Sequence, residues 1–303
     1  MNYTTSIRNA MSVDVEDYYH VSAFEGCINK TQWNEMPCRI EANMERILAL
    51  FERKSIKATF FTLGCVAERY PAMVRSIVDQ GHELASHGWE HIRVTQQNQQ
   101  AFTQDITRTR QLLEDLSGQP VIGYRAASYS ICEENLWALD CLADAGYQYS
   151  SSIVPIRHDH YGIPGAPRFA FPAANNRLLE IPVTTIPVAG RNINCGGGGW
   201  FRLFPYSFTR WAINRVNRKE HQPCIFYFHP WEIDPEQPRV PNAGSKARFR
   251  HYLNLHKVHH RLEQLADDFL WGRVDEVFLK GFQQKQTGND QWGLHGACDS
   301  SAV

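Results

Sequence analysis

The chain has 303 residues, 43% of them hydrophobic, with 31 Lys and Arg against 32 Asp and Glu and a formal net charge of −1. That length and apolar content suit one large α/β domain or two small ones, each with a true core. The charge balance leaves no basic excess to neutralise a row of phosphates, which removes the electrostatic case for nucleic acid. The opening stretch MNYTTSIRNAMSVDVEDYY holds no apolar run of signal-peptide or membrane-span length, so synthesis and residence in the cytoplasm are expected. The eight cysteines include no C-x-x-C pair and lie in core-like segments, which reads as reduced, mostly buried thiols.

In chain order, SVDVED ends a first strand. IEANMERILALFERK then places Ile40, Met44, Ile47, Leu48 and Phe51 at helical intervals, and KATFFTLG is a short apolar run of strand type. YPAMVRSIVDQG predicts a short helix stopped at Gly81, and HELASH a strand. The alternation recurs: AFTQDITRTRQLLEDLSG is helical, VIGYR a strand, ENLWALDCLADAG helical and YQYSSSIV extended. Further on, LLEIPVTTIPV predicts one strand, YSFTRWAINRVNRK a helix, CIFYFH a strand and RHYLNLHKVHHRLEQLADDF one long helix. Strands and helices taking turns imply parallel strands with crossover helices, as a barrel or an open sheet. Residues 1–282 are expected to form one domain, and the polar, aperiodic tail 283–303 to be disordered.

In this architecture polar groups gather where the strands end, because the loops there share one rim. SVDVED brings Asp14, Glu16 and Asp17 to that rim, SHGWEH brings His87 and His91, GYRAASY brings Arg125, and IFYFHPWE brings His229 and Glu232. Two histidines and a carboxylate with open positions make a three-ligand set of catalytic zinc type, or a similar site for another divalent ion. Three carboxylates packed at one strand end also repel one another unless a cation sits among them. A divalent ion lowers the pKa of a water and polarises a carbonyl; Asp14 is placed to act as base and His229 as acid.

With these residues in view, the chain resembles the polysaccharide deacetylases of the chitin-deacetylase type, carbohydrate esterase family four. DVEDYYHV, SHGWEH, YRAASYSI, GRNINCGGGGWFRLFPY and FYFHPWEID are similar to the bacterial subgroup associated with exopolysaccharide and exosortase gene clusters. The resemblance implies a distorted (β/α) barrel of about seven strands, a metal-dependent N-deacetylation of an N-acetylated amino sugar, and a divalent ion, zinc in the first place with cobalt, nickel or manganese as alternatives. Carried over, Asp14 is the base, His87 and His91 the metal pair, Arg125 the group that orients Asp14, and His229 the acid, while the backbone N–H near Tyr129 helps to hold the oxyanion. The implied substrate is an N-acetylated glycan. With no export signal expected, the substrate is expected in the cytosol or at the inner membrane face, a lipid-linked glycan precursor being one such form.

Two departures stand out. Relatives place the base and the metal carboxylate side by side, whereas Val15 follows Asp14 here, so the third ligand is Glu16 or Asp17. Strand alternation favours Glu16, which shares a face with Asp14. Relatives also carry an aspartate where this chain has Ser150. The glycine run from Cys195 lacks the Lys and Ser/Thr of a phosphate loop; it reads as a tight turn or as a close approach to a sugar, with Trp200 and Phe201 as stacking faces and Trp231 as a further substrate contact. His256, His259 and His260 read as a solvated helix face. The competing functions are a metal-free hydrolase of cyclic imides or other C–N bonds and a non-catalytic carbohydrate-binding protein. The oligomeric state is not legible.

Overall fold

The computed structural model describes residues 7–157 and 161–282; the tail predicted to be disordered lies outside them. The first half runs β1 (Arg8–Val15), α1 (Ile40–Arg53), β2 (Thr59–Thr62), α2 (Gly64–Arg69), α3 (Pro71–Asp79), β3 (Glu83–Ser86), α4 (Gln99–Ser117), β4 (Gly123–Tyr124), α5 (Trp137–Asp144) and β5 (Tyr149–Ser150). The second half adds β6 (Phe171–Ala173), β7 (Leu178–Glu180), β8 (Thr185–Val188), β9 (Arg191–Asn194), α6 (Gly198–Leu203), α7 (Tyr206–Arg215), β10 (Ile225–Phe228), α8 (Ser245–Tyr252), α9 (Leu255–Asp268) and β11 (Leu270–Gly272).

The strands assemble in the order β10-β1-β2-β3-β4-β5-β7-β6, with β11 on β1. Every pairing in this sheet is parallel except β6 with β7. The result is the distorted (β/α) barrel of the sequence reading, open between β10 and β6 among the described residues. Strand alternation divides the core: Phe60 of β2 faces outward against Met44, Ile47 and Phe51 of α1, while Phe61 faces inward with Tyr149 and Leu179. Burying each of these large side chains stabilises the fold by roughly 1.5–3 kcal/mol.

Local expectations were met where periodicity was strong and missed where the chain turns within an apolar run. LLEIPVTTIPV is two strands, because Pro182 interrupts the ladder; β7 joins the barrel and β8 forms a separate hairpin with β9. The long helix predicted from Arg250 is broken between α8 and α9 at Asn254, whose φ of 52° is left-handed. α2 and α6 were not anticipated. The seven described cysteines are free thiols.

Candidate metal centre and acid–base pair

Glu16, His87 and His91 are buried together, and one donor atom from each lies within 4.8 Å of the others. Among the described residues this is the one such group of His, Cys, Asp and Glu. Glu16 follows the end of β1 and His87 the end of β3, which sit one strand apart across β2. His91 Nε2 is 3.1 Å from Glu16 Oε2. His87 Nδ1 is 2.8 Å from the Arg125 carbonyl, a contact that fixes the ring and leaves Nε2 as the ligand atom. Burial lowers the pKa of both histidines, keeping them in the neutral form that a metal requires. Burial pushes Glu16 up to about 7, against the lowering effect of the His229 charge and with Asp14 adding to the rise. Glu16 Oε2 and His91 Nδ1 have no hydrogen-bond partner although both are buried. A dehydrated carboxylate among neutral imidazoles is a donor set that fits a divalent cation.

Asp17, the alternative ligand, is occupied elsewhere. Its carboxylate accepts from the N–H of Tyr18 at 2.8 Å, Arg39 at 2.7 Å and Ile40 at 3.1 Å, so it caps the start of α1 and stands outside the triad. Alternation had favoured Glu16, and the geometry agrees.

The loop that carries the histidines is held by α2 and α4. Gly64 and Cys65 at the start of α2 donate to the carbonyls of Gly88 and Trp89 at 2.9 and 3.0 Å. Both Asp105 oxygens accept from Trp89 N–H at 3.2 Å, and the Arg108 guanidinium lies 3.3 Å from the Trp89 ring centroid. A side chain at Gly64 would collide with Trp89, its Cβ falling 2.3 Å from the indole. His91 itself has φ 53°, an uncommon backbone state for a non-glycine residue and one that tends to accompany function.

Asp14 and His229 flank the triad. Arg125, fully buried, donates to Asp14 Oδ1 at 2.5 Å and to Ser12 Oγ at 2.9 Å, and its remaining N–H groups reach Ser151. That leaves Asp14 Oδ2 facing His229 Nε2 at 3.8 Å. His229, whose side chain is 18% exposed, also lies 3.6 Å from Glu16 Oε1 and places Nδ1 2.6 Å from Glu232 Oε1. Burial alone would lower the His229 pKa; the Glu232 hydrogen bond and the charges of Glu16, Glu232 and Asp14 outweigh it and hold the ring at about 9. Glu232 stays ionised down to about 2: burial opposes this, but Arg202, 2.6 Å away through its Nε, and His229 prevail.

The predicted substrate contacts fare less well. Trp231 is buried, stacked between His229 (5.1 Å) and His251 (4.2 Å), and its N–H reaches Glu16 Oε1 at 3.3 Å, so it braces the site and offers no sugar face. Phe201 is a core residue packed on Phe226. Trp200 is half-buried and stacks on Phe204. The glycine run approaches protein, not ligand: a Cβ on Gly197 would fall 1.9 Å from the Tyr227 carbonyl, and Gly196 O accepts from Tyr227 N–H at 2.8 Å. Tyr129 N–H donates to Ala126 O at 3.0 Å, so it is engaged within its own turn, while its ring packs on Tyr227. His259 and His260 each sit 3.9 Å from Glu263, but the three do not gather their donor atoms into a metal-binding group. A cleft of about 570 Å³ beside His91, lined in part by Tyr19, Lys30, Trp33 and Glu90, was not anticipated. Nor were the parts of Arg202 and Asp105. Glu232 had been seen at the rim without a role.

Comparison with known proteins gives two adjoining matches. The sequence profile of polysaccharide deacetylases covers residues 31–150, and a domain of unknown function (DUF3473) covers 151–279. Residues 31–150 thus carry a polysaccharide deacetylase domain. The adjoining DUF3473 match agrees with the exosortase-associated subgroup that the chain's motifs resemble. The peptidoglycan-N-acetylglucosamine deacetylase PgdA of Listeria monocytogenes is 33% identical over 72 residues, 24% of this chain and 16% of that protein. A peptidoglycan-N-acetylglucosamine deacetylase of Bacillus cereus is 31% identical over 96 residues, 31% of this chain and 35% of that protein. The matched stretches thus span about a third or less of these relatives. A crystal structure described as a candidate polysaccharide deacetylase from Mycobacterium smegmatis shares the fold over 94% of both chains, with a TM-score of 0.61 and 16% identity. His87, His91 and Arg125 fall in the first matched region and His229, Glu232 and Arg202 in the second, while Asp14 and Glu16 precede both, and the pairing of β1 with β10 brings these parts together. Among the described residues no helix is long and apolar enough to cross a membrane.

Proposed function

We propose that the protein is a metal-dependent hydrolase that removes the N-acetyl group from an N-acetylhexosamine unit of a bacterial surface polysaccharide or its lipid-linked precursor. The observation that carries this reading is the convergence of a Glu16–His87–His91 donor set with an arginine-held carboxylate on one side and a carboxylate-held histidine on the other. A divalent ion in that donor set, zinc in the first place with cobalt, nickel and manganese as alternatives, supplies Lewis acidity that polarises the acetamide carbonyl and lowers the pKa of water. Asp14, with Oδ1 committed to Arg125, takes the water's proton at Oδ2. His229, protonated below its pKa of about 9, gives its proton to the departing amine nitrogen. The hydroxyl adds to the acetamide carbon and the C–N bond breaks, so the products are acetate and the amino sugar as its ammonium form, which takes up the acid's proton; both residues return to their starting charge once the proton on Asp14 passes to His229. The cleft beside His91 suits the glycan, since the half-buried Trp33 offers an apolar face and Lys30 and Glu90 polar groups.

The test is elemental analysis of the wild type and of His87→Ala/His91→Ala, with acetate release from N-acetylglucosamine oligomers assayed on the same samples. About one divalent ion per wild-type chain with acetate release, both lost in the double variant, is the expected result. An ion without acetate release from any N-acetylated glycan would sink the deacetylase reading. Acetate release unchanged in the variant would sink the metal site.

A further inference from the structure

The charge of the chain is balanced overall but not along its length. Residues 181–219 hold six Lys and Arg and no Asp or Glu, and residues 237–262 again hold six and none. Twelve of the 31 cationic side chains thus fall in two stretches that carry none of the 32 acids. They include α6, α7, α8 and the first part of α9. Some of this charge is spent inside the fold, Arg202 on Glu232 and Arg210 on Asp268. The charge of α8 is not: Lys246, Arg248 and Arg250 are exposed, and among the described residues none meets a carboxylate within ion-pair distance.

The same helices carry large apolar side chains on the outside. Phe249, between Arg248 and Arg250, is 61% exposed; Leu203 of α6 is 48% and Trp211 of α7 is 49% exposed. The pieces adjoin. Arg202 donates to the carbonyls of Arg250 and His251 at 2.8 and 2.6 Å, which ties Leu203's helix to α8. A run of ring contacts, Trp200–Phe204–Phe208–Trp211, continues from α6 along α7. α8 also borders the site, because its inner residue His251 stacks on Trp231, which stacks on His229.

We infer that the outer face of α6, α7 and α8 docks on an anionic lipid surface. Charge complementarity names the occupant: clustered Lys and Arg are drawn to anionic headgroups, and the aromatic and leucine side chains among them enter the headgroup boundary. A soluble polyanion would satisfy the cations but would gain nothing from Phe249 and Leu203, which would stay in water. Docking here brings the rim with His229 towards the bilayer without a membrane-spanning helix. The inference does not depend on which reaction the site performs.

The experiment is co-sedimentation of the full chain with phosphatidylcholine vesicles, with and without phosphatidylglycerol, at low and high salt. The wild type should bind the anionic vesicles and be released by salt. Lys246→Gln/Arg248→Gln/Arg250→Gln should weaken partitioning by roughly a hundredfold, about fivefold per cation removed. Phe249→Ser/Leu203→Ser should weaken it while the salt dependence stays. Circular dichroism and acetate release in solution, expected to be unchanged, verify that the variants fold. No binding of the wild type to anionic vesicles at low salt overturns the proposal, and so does binding that neither variant weakens. Binding to dextran sulfate that competes fully with vesicles and ignores Phe249→Ser/Leu203→Ser overturns it in favour of a polyanion site. A change in oligomeric state in place of vesicle binding overturns it in favour of a contact between copies.

Discussion

On the ligand side of the site, Glu16, His87 and His91 come from the ends of two strands that flank β2, and the loop holding the histidines is pinned by short-range contacts from α2 and α4. On the acid side, His229 depends on Glu232, on Arg202 from α6, and on a Trp231–His251 stack that reaches α8. The first is a buried donor group of two neutral imidazoles and a carboxylate, with Glu16 Oε2 and His91 Nδ1 left without a hydrogen-bond partner. The second is a saturated charge chain that keeps one imidazole protonated. On the proposed mechanism this contrast makes metal retention and proton delivery separable, and substitutions should separate them.

The largest effect is expected at the junction of the two sides. Asp14→Asn should retain the ion and lower turnover by roughly 10³-fold, whereas His87→Ala should lose the ion itself. Elemental analysis and acetate release on the same samples distinguish them. An Asp14→Asn variant with full activity would remove the base from the scheme. Next, Glu232→Gln should leave metal content alone and lower turnover at neutral pH by about tenfold. The sign follows from the charges: without Glu232 the pKa of His229 falls from about 9 towards its ordinary value, so the alkaline limb of the pH–rate profile moves to lower pH. An unmoved limb would reduce Glu232 to a packing residue. On the ligand side, Asp105→Ala should weaken metal affinity by roughly 10- to 100-fold through the loosened Trp89 loop, with the pH limbs unchanged. A competitive chelator titration measures it; a shift in the acid limb without loss of affinity would contradict the separation.

The two sides also differ in how far the sequence revealed them. Glu16, His87, His91, Asp14 and His229 stand at the ends of apolar runs, and strand alternation with rim logic is enough to gather them. The parallel strands with crossover helices followed from helix and strand taking turns, and the choice of a barrel over an open sheet from the family resemblance. Arg202 and Asp105 could not be gathered that way, since each acts across the fold from a helix whose own pattern gives it no special place. Trp231 and Phe201 misled for the same reason: an aromatic beside a glycine run or a catalytic histidine looks available to a sugar, and only the packing of α8 and β10 shows them enclosed. Asn254 broke a helix that periodicity alone would have continued, because its left-handed turn carries no apolar signature.

The smallest effect is expected from a buried acid that belongs to neither side. Glu83 opens β3 at the end opposite His87 and accepts from Tyr149 Oη at 2.8 Å and from Thr59 and the Asp275 N–H. Burial, with Asp275 adding to it, pushes its pKa up to about 8. Between the ordinary carboxylate range and about 8, the folded chain therefore holds a proton that the unfolded chain releases, and this group makes stability fall as pH rises through that window. Above about 8 both states are ionised and the contribution is constant. Glu83→Gln should flatten that part of the stability curve and gain on the wild type at pH 9, while the pH–rate profile keeps both limbs. Thermal midpoints measured from pH 5 to 9 test it. If the slope persists in Glu83→Gln, it arises elsewhere; if the rate profile shifts, the two ends of β3 are coupled and the site cannot be treated as two independent sides.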